Sequence, residues 1–119
     1  MTVYTKYMKI NIKTIQVDLT PSLKTFIEEK LQPLEKFLMR FEVESEVLAQ
    51  LDLARTTQHH KHGEVFKASM NLRLGKKALH AEEEAEDARV AIERVRNTMR
   101  SEIEKFRGET LKPKRGKDK

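Results

Sequence analysis

The chain has no cysteine and no tryptophan, only 3 prolines and 4 glycines, and aromatic residues make up 6% of it. Without cysteine there is no disulfide staple, no thiolate metal ligand and no cysteine nucleophile. Gly75-Lys76-Lys77 lacks the upstream glycine and the following hydroxyl of a Walker loop, so no phosphate-cradling loop is present. No serine or threonine stands in a motif beside a base, and catalysis has no candidate. Long apolar runs are missing too. Nothing approaches the roughly 20 apolar residues that span a bilayer, and Met1-Thr2-Val3-Tyr4-Thr5-Lys6-Tyr7 lacks the apolar centre of a signal peptide. The chain therefore reads as a soluble, cytoplasmic, non-enzymatic protein with no membrane partner, no small-molecule substrate and no cofactor.

What is present is charge. Of 119 residues 36% are charged and 38% hydrophobic, with 24 Lys and Arg against 19 Asp and Glu for a net +5. That length supports one domain with one core. A net charge built from so many opposed groups permits polyanion binding, and how the cations cluster matters more than their sum.

Periodicity supplies the elements. After a short leader over 1–7, Met8-Lys9-Ile10-Asn11-Ile12-Lys13 alternates apolar and polar as a half-buried strand does, and this strand ends before Asp18. Thr20-Pro21 is a helix start, with a hydroxyl to accept from an orphan N–H and a proline at the first helical position. Leu23, Ile27, Leu31, Leu34 and Leu38 recur at steps of three and four as the buried stripe of helix one, and Pro33 predicts a kink or break near Gln32. A second strand spans about Glu46 to Ala54. It is followed by a polar hairpin loop, a strand with Phe66, Ala68, Met70, Leu72 and Leu74 on one face, a turn at Gly75-Lys76, and a short strand over Lys77–Ala81.

Helix two is expected to begin in the acidic cluster Glu82-Glu83-Glu84 with Glu86-Asp87 and to end with Lys105 and Arg107, capped by Gly108. Its stripe is Ala88, Ile92, Val95, Met99, Ile103 and Phe106. The expected fold is α+β in the order β-α-β-β-β-α, a four-stranded mixed sheet with two helices packed on one face. The domain is placed at 1–107, and 108–119 is read as a basic flexible tail.

His59, His60 and His62 are read as a solvated or RNA-contacting loop rather than a metal site, because neighbours on one loop do not converge on a tetrahedral ion. The glutamates of 82–87 are read as helix-dipole electrostatics. The basic residues are the remaining constellation. In helix one Lys24, Lys30, Lys36 and Arg40 lie off the apolar stripe, and in helix two Arg89, Arg96, Arg100 and Arg107 share a face, with Arg94 and Lys105 to one flank. Each alone reads as a solvated surface group, with pairs such as Arg100 and Glu104. Together with Lys112, Lys114 and Arg115 of the tail, they form a set suited to nucleic-acid phosphates.

Leu34-Glu35-Lys36-Phe37, the block His59-His60-Lys61-His62-Gly63-Glu64-Val65-Phe66-Lys67-Ala68 with Asn71-Leu72, Ala81-Glu82 with Glu86-Asp87, Ala91-Ile92-Glu93 and Lys105-Phe106 together resemble the ribosome hibernation-promoting factor family, which includes the ribosome-associated inhibitors of the protein Y type. The resemblance covers about residues 8–107. It implies a fold akin to a double-stranded-RNA-binding domain, and a non-enzymatic protein, monomeric off the ribosome, whose partner is the small ribosomal subunit and its RNA. Such a protein occupies the decoding region in place of messenger RNA and A- and P-site transfer RNA. Lys30, Lys36 and Lys105 match family basic positions most directly. The chain departs from the family pattern at Pro33, Thr98, Ser101 and Glu102, which removes several expected phosphate contacts. It ends about where the linker of longer members begins, which places it with the short forms. The alternative reading is a protein-interaction module that keeps the fold without the ribosome.

Overall fold

A computed structural model of the chain describes residues 1–4, 8–38, 47–56 and 65–109, with side chains up to Phe106. The elements are β1 (Thr2–Tyr4), β2 (Met8–Ile15), α1 (Pro21–Leu38), β3 (Val47–Thr56), β4 (Val65–Leu74), β5 (Lys77–Ala85) and α2 (Ala88–Glu109). The sheet has five strands in the order β1-β2-β3-β4-β5, with β2 and β3 parallel and all other neighbours antiparallel. The expected α+β class and mixed sheet hold, and the expected count of four strands does not. Thr2–Tyr4, read as leader, is the fifth strand, pairing Val3 with Ile10 and leaving only Val3 half-buried. A segment of that length is too short to show a period of two.

One face of the sheet is apolar. Met8, Ile10 and Ile12 of β2, Val47, Ala49, Leu51 and Leu53 of β3, Ala68, Met70, Leu72 and Leu74 of β4, and Leu79, Ala81 and Ala85 of β5 are all buried there. They meet Leu23, Ile27, Leu31, Leu34 and Leu38 of α1 and Ile92, Val95, Met99 and Ile103 of α2 in a single core. The stripes of both helices are largely those expected from spacing, with Glu35 and Phe37 buried in addition in α1 and Ala91 in α2, while Ala88 is only partly buried.

Local chemistry sets the boundaries. Thr20 caps α1, its Oγ1 accepting from the Leu23 amide at 3.1 Å and its carbonyl from the Lys24 amide at 2.9 Å. Gln16, with φ at 58°, turns the chain out of β2. Gly75, with φ at 63°, opens the two-residue connection between Leu74 and Lys77, a backbone region that glycine enters without a Cβ clash.

Three boundary expectations are corrected. Of the kink or break expected near Gln32, the break does not occur: helix α1 runs from Pro21 to Leu38 with Pro33 inside it. Pro33 is exposed, and the carbonyl it cannot bond is that of Glu29, also on an exposed position where water can satisfy it. Glu82, Glu83 and Glu84 belong to β5, which runs four residues further than expected because Leu79, Ala81 and Ala85 keep a period of two facing the core. Helix α2 starts after Asp87, whose carboxylate accepts from the Arg89 amide at 2.7 Å. Gly108 does not end α2; it lies inside the last turn, which continues to Glu109.

Candidate nucleic-acid interface

The helices lie side by side and run in the same direction, since their contacts advance together along both. Arg89 Nη2 donates to Ser22 Oγ at 3.0 Å. Its guanidinium carbon also stands 5.2 Å from the centre of the Phe26 ring. Further along, Lys30 Nζ is 3.1 Å from Glu93 Oε2 and 5.4 Å from the Phe26 ring centre. Arg96 Nη1 donates to the Lys30 carbonyl at 3.4 Å, with its Nε on Asn97 Oδ1 at 2.8 Å. Arg100 lies over Phe37 at 5.3 Å.

Helical spacing places Ser22, Phe26, Lys30 and Phe37 on one edge of α1, and Arg89, Glu93, Arg96 and Arg100 on the facing edge of α2. The result is a seam of cations, each laid on an aromatic ring or hydrogen-bonded across the helices. A guanidinium stacked on a ring keeps its in-plane N–H donors at its edge, where a phosphate can take them. Each exposed cation–π contact contributes only about 0.5–1 kcal/mol. Its main effect is to hold the guanidinium in place, lowering the entropy lost when an anion binds.

Of the basic residues singled out in the sequence, the seam gathers Lys30, Arg89, Arg96 and Arg100. Lys24 lies on the flank of α1 away from α2, 3.8 Å from Glu28, and Lys36 is exposed on the solvent side of the last turn. Arg94 and Lys105 occupy the other flank of α2. Arg94 Nη1 donates to the Glu84 carbonyl of β5 at 2.9 Å, and Lys105 sits 3.5 Å from Glu102. Thr98, on that same flank, donates from Oγ1 to Glu83 Oε2 at 2.6 Å and so ties α2 to β5. Arg94 and Thr98 thus serve the joint between α2 and the sheet edge. The expected pairing of Arg100 with Glu104 gives way to the Phe37 contact. Arg40, Lys112, Lys114, Arg115 and the histidines His59, His60 and His62 lie outside the described residues, as does the side chain of Arg107. The phenylalanines under the cations are not among the residues the sequence reading singles out; the signal for them is that Phe26 and Phe37 stand off the leucine stripe of α1, which marks a second contact edge.

The acidic residues of β5 have a local partner. Lys67 Nζ is 2.8 Å from Glu82 Oε2, while Ser69 Oγ and His80 Nε2 approach Glu82 Oε1 at 3.4 and 3.5 Å. The hydrogen bond from Lys67 holds the Glu82 carboxyl below its ordinary value of 4.5, and the same bond raises Lys67 above 10.5. A depressed acid stabilises the fold above its unfolded pKa and loses that contribution as pH falls through the folded value. Titrating Glu82 by carboxyl NMR is therefore expected to give a midpoint below 4.5, and Lys67→Met should move it upward. An unchanged midpoint in the variant would assign the shift to another group.

Among the described residues no group of His, Asp and Glu is placed to hold a metal ion, and no helix is long and apolar enough to cross a membrane.

Residues 10–110 match the model of the sigma 54 modulation protein / S30EA ribosomal protein family. The chain belongs to that family. Its fold is similar to the N-terminal domain of Protein Y from Thermus thermophilus, with a TM-score of 0.65 at 21% identity over 82% of this chain and 96% of that one. It is also similar to a ribosomal subunit interface protein from Coxiella burnetii, with a TM-score of 0.64 at 16% identity over 83% and 97%. At those identities the likeness is one of fold. Among curated protein sequences there is no significant match.

Proposed function

We propose that this protein is a ribosome-binding factor of the hibernation type, which silences translation by occupying the decoding region of the small subunit where messenger RNA and the A- and P-site transfer RNAs would lie. The observation that carries this reading is the seam of Lys30, Arg89, Arg96 and Arg100, a row of oriented donors along two parallel helices in a member of an S30EA family. Lys24, Lys36, Arg94 and Lys105, on other sides of the two helices, are further candidate phosphate contacts, as are Arg40, Arg107, Lys112, Lys114 and Arg115 on sequence grounds alone. Binding is then dominated by phosphate contacts and carries little base specificity. The likeness to a ribosomal subunit interface protein agrees with a ribosomal site.

A second reading has its own support. The seam arginines bridge α1 and α2, as they would in a protein-interaction module that uses them only to join its helices. Co-sedimentation with separated ribosomal subunits across a salt series distinguishes the two. The hibernation reading expects saturable binding to the small subunit that falls steeply with salt and competes with initiator transfer RNA. No binding at low salt would overturn it and leave the interaction module.

A further inference from the structure

Among the described residues nothing covers the face of the sheet turned away from the helices, and the strand register arranges that face in rows. Across β1 to β5 the first row is Tyr4, Lys9, Leu48, Arg73 and Ala78, and the second is Thr2, Asn11, Gln50, Asn71 and His80. The residues of these rows other than Tyr4 and His80 line a shallow concavity of about 520 Å³. Its lining includes Lys9 and Arg73 and contains no carboxylate. The acidic groups Asp52, Glu82 and Glu84 lie further along the strands. Leu48, 42% exposed, sits between the two cations at the bottom of the first row.

The amides are held in two hydrogen-bonded groups. Asn11 Nδ2 donates to Gln50 Oε1 at 2.8 Å, Gln50 Nε2 donates to Asp52 Oδ1 at 2.7 Å, and Asn71 Oδ1 lies 2.8 Å from His80 Nδ1. These bonds fix the amides and leave further donors and acceptors directed at solvent.

We propose that this open face is a second RNA-contacting surface, one that takes unpaired nucleotides. A positive concavity with no carboxylate in its lining favours an anionic occupant. The side chains of an acidic peptide would offer the amides acceptors only. Unpaired bases offer both donors and acceptors on their exposed edges, a ring face for Leu48, and phosphates for Lys9 and Arg73. A duplex fits less well, since its base edges are turned into the helix. This surface lies on the opposite side of the sheet from the helical seam, so one molecule can engage nucleic acid on both sides.

The test is a titration of the full chain with an oligouridylate of about eight nucleotides, followed by NMR. The side-chain amides of Asn11, Gln50 and Asn71 are expected to shift saturably, and Lys9→Glu with Arg73→Glu should weaken that binding about tenfold or more. The helix variant Arg89→Glu/Arg96→Glu/Arg100→Glu should leave the shifts in place, so the result is separable from the fate of the ribosomal reading. Shifts confined to the helices, an unchanged affinity in the Lys9/Arg73 variant, or an equal response to polyglutamate of similar length would each overturn the proposal.

Discussion

Replacing Arg89, Arg96 and Arg100 together with glutamate is expected to lower the affinity for small ribosomal subunits by about 100-fold or more at moderate salt, and to flatten the salt dependence of what remains. Each cation that meets a phosphate releases counterions. Removing three and reversing their sign therefore acts on both the strength and the slope of binding. The matched control is Arg94→Glu with Lys105→Glu on the other flank of α2, where Arg94 is held by the Glu84 carbonyl and Lys105, 69% exposed, stands beside Glu102. Its expected loss is about tenfold less. Circular dichroism melts of both variants check that the seam is still assembled, because Arg89 and Arg96 also bridge α1 and α2. Equal losses in the two variants would mean that net charge, not the seam, governs association.

Leu51→Ala is expected to destabilise the domain by about 3 kcal/mol, lowering its melting midpoint by on the order of 10 °C. Leu51 is fully buried in β3, flanked by Ile12 on β2 and Met70 on β4, with strands on both sides that limit collapse around the lost methyls. Leu48, three positions earlier, faces the opposite side of the same strand, and Leu48→Ala should cost no more than about 0.5 kcal/mol. Chemical denaturation of the pair measures the difference. Similar losses would show that the open face is packed against something in solution, which would also bear on its availability to RNA.

Much of this architecture is legible in the sequence wherever burial imposes a strong period. The leucine stripe of α1, the alternation of β2, β3 and β4, and the apolar stripe of α2 all follow from one-sided packing, which repeats every 3.6 or 2 residues. Elements without such a stripe are less legible. Thr2–Tyr4 has only Val3 half-buried and is held mainly by its pairing with β2, which leaves no mark on the amino-acid order. At Glu82–Glu84, a run of carboxylates matched a helix N-terminus, while the weaker cue of Leu79, Ala81 and Ala85 at spacing two carried the true assignment. The cap is a single acidic residue, Asp87.

The basic set was legible as a composition and only partly as a surface. Spacing along α2 put Arg89, Arg96 and Arg100 on one face, which the contacts with α1 bear out. What spacing along one helix cannot convey is which edge of the other helix faces it. For that reason the sequence alone does not single out Phe26 and Phe37, nor does it distinguish Lys24 and Lys36 from the cations of the seam.

The parallel pairing of β2 with β3 has a consequence for the order of assembly. Asn11 meets Gln50 across 39 positions of chain, whereas β3, β4, β5 and α2 follow one another with each strand beside its neighbour. Closing the longer span costs more chain entropy before any contact offsets it, so local hairpins have the advantage in forming first. The ribosome, however, makes the chain from the other end. Strand β2, synthesised among the earliest, thus has only the three-residue β1 beside it at first, and the amino-terminal third emerges as a minimal two-stranded ribbon and a lone amphipathic helix whose template, β3 and the strands after it, is still to be made.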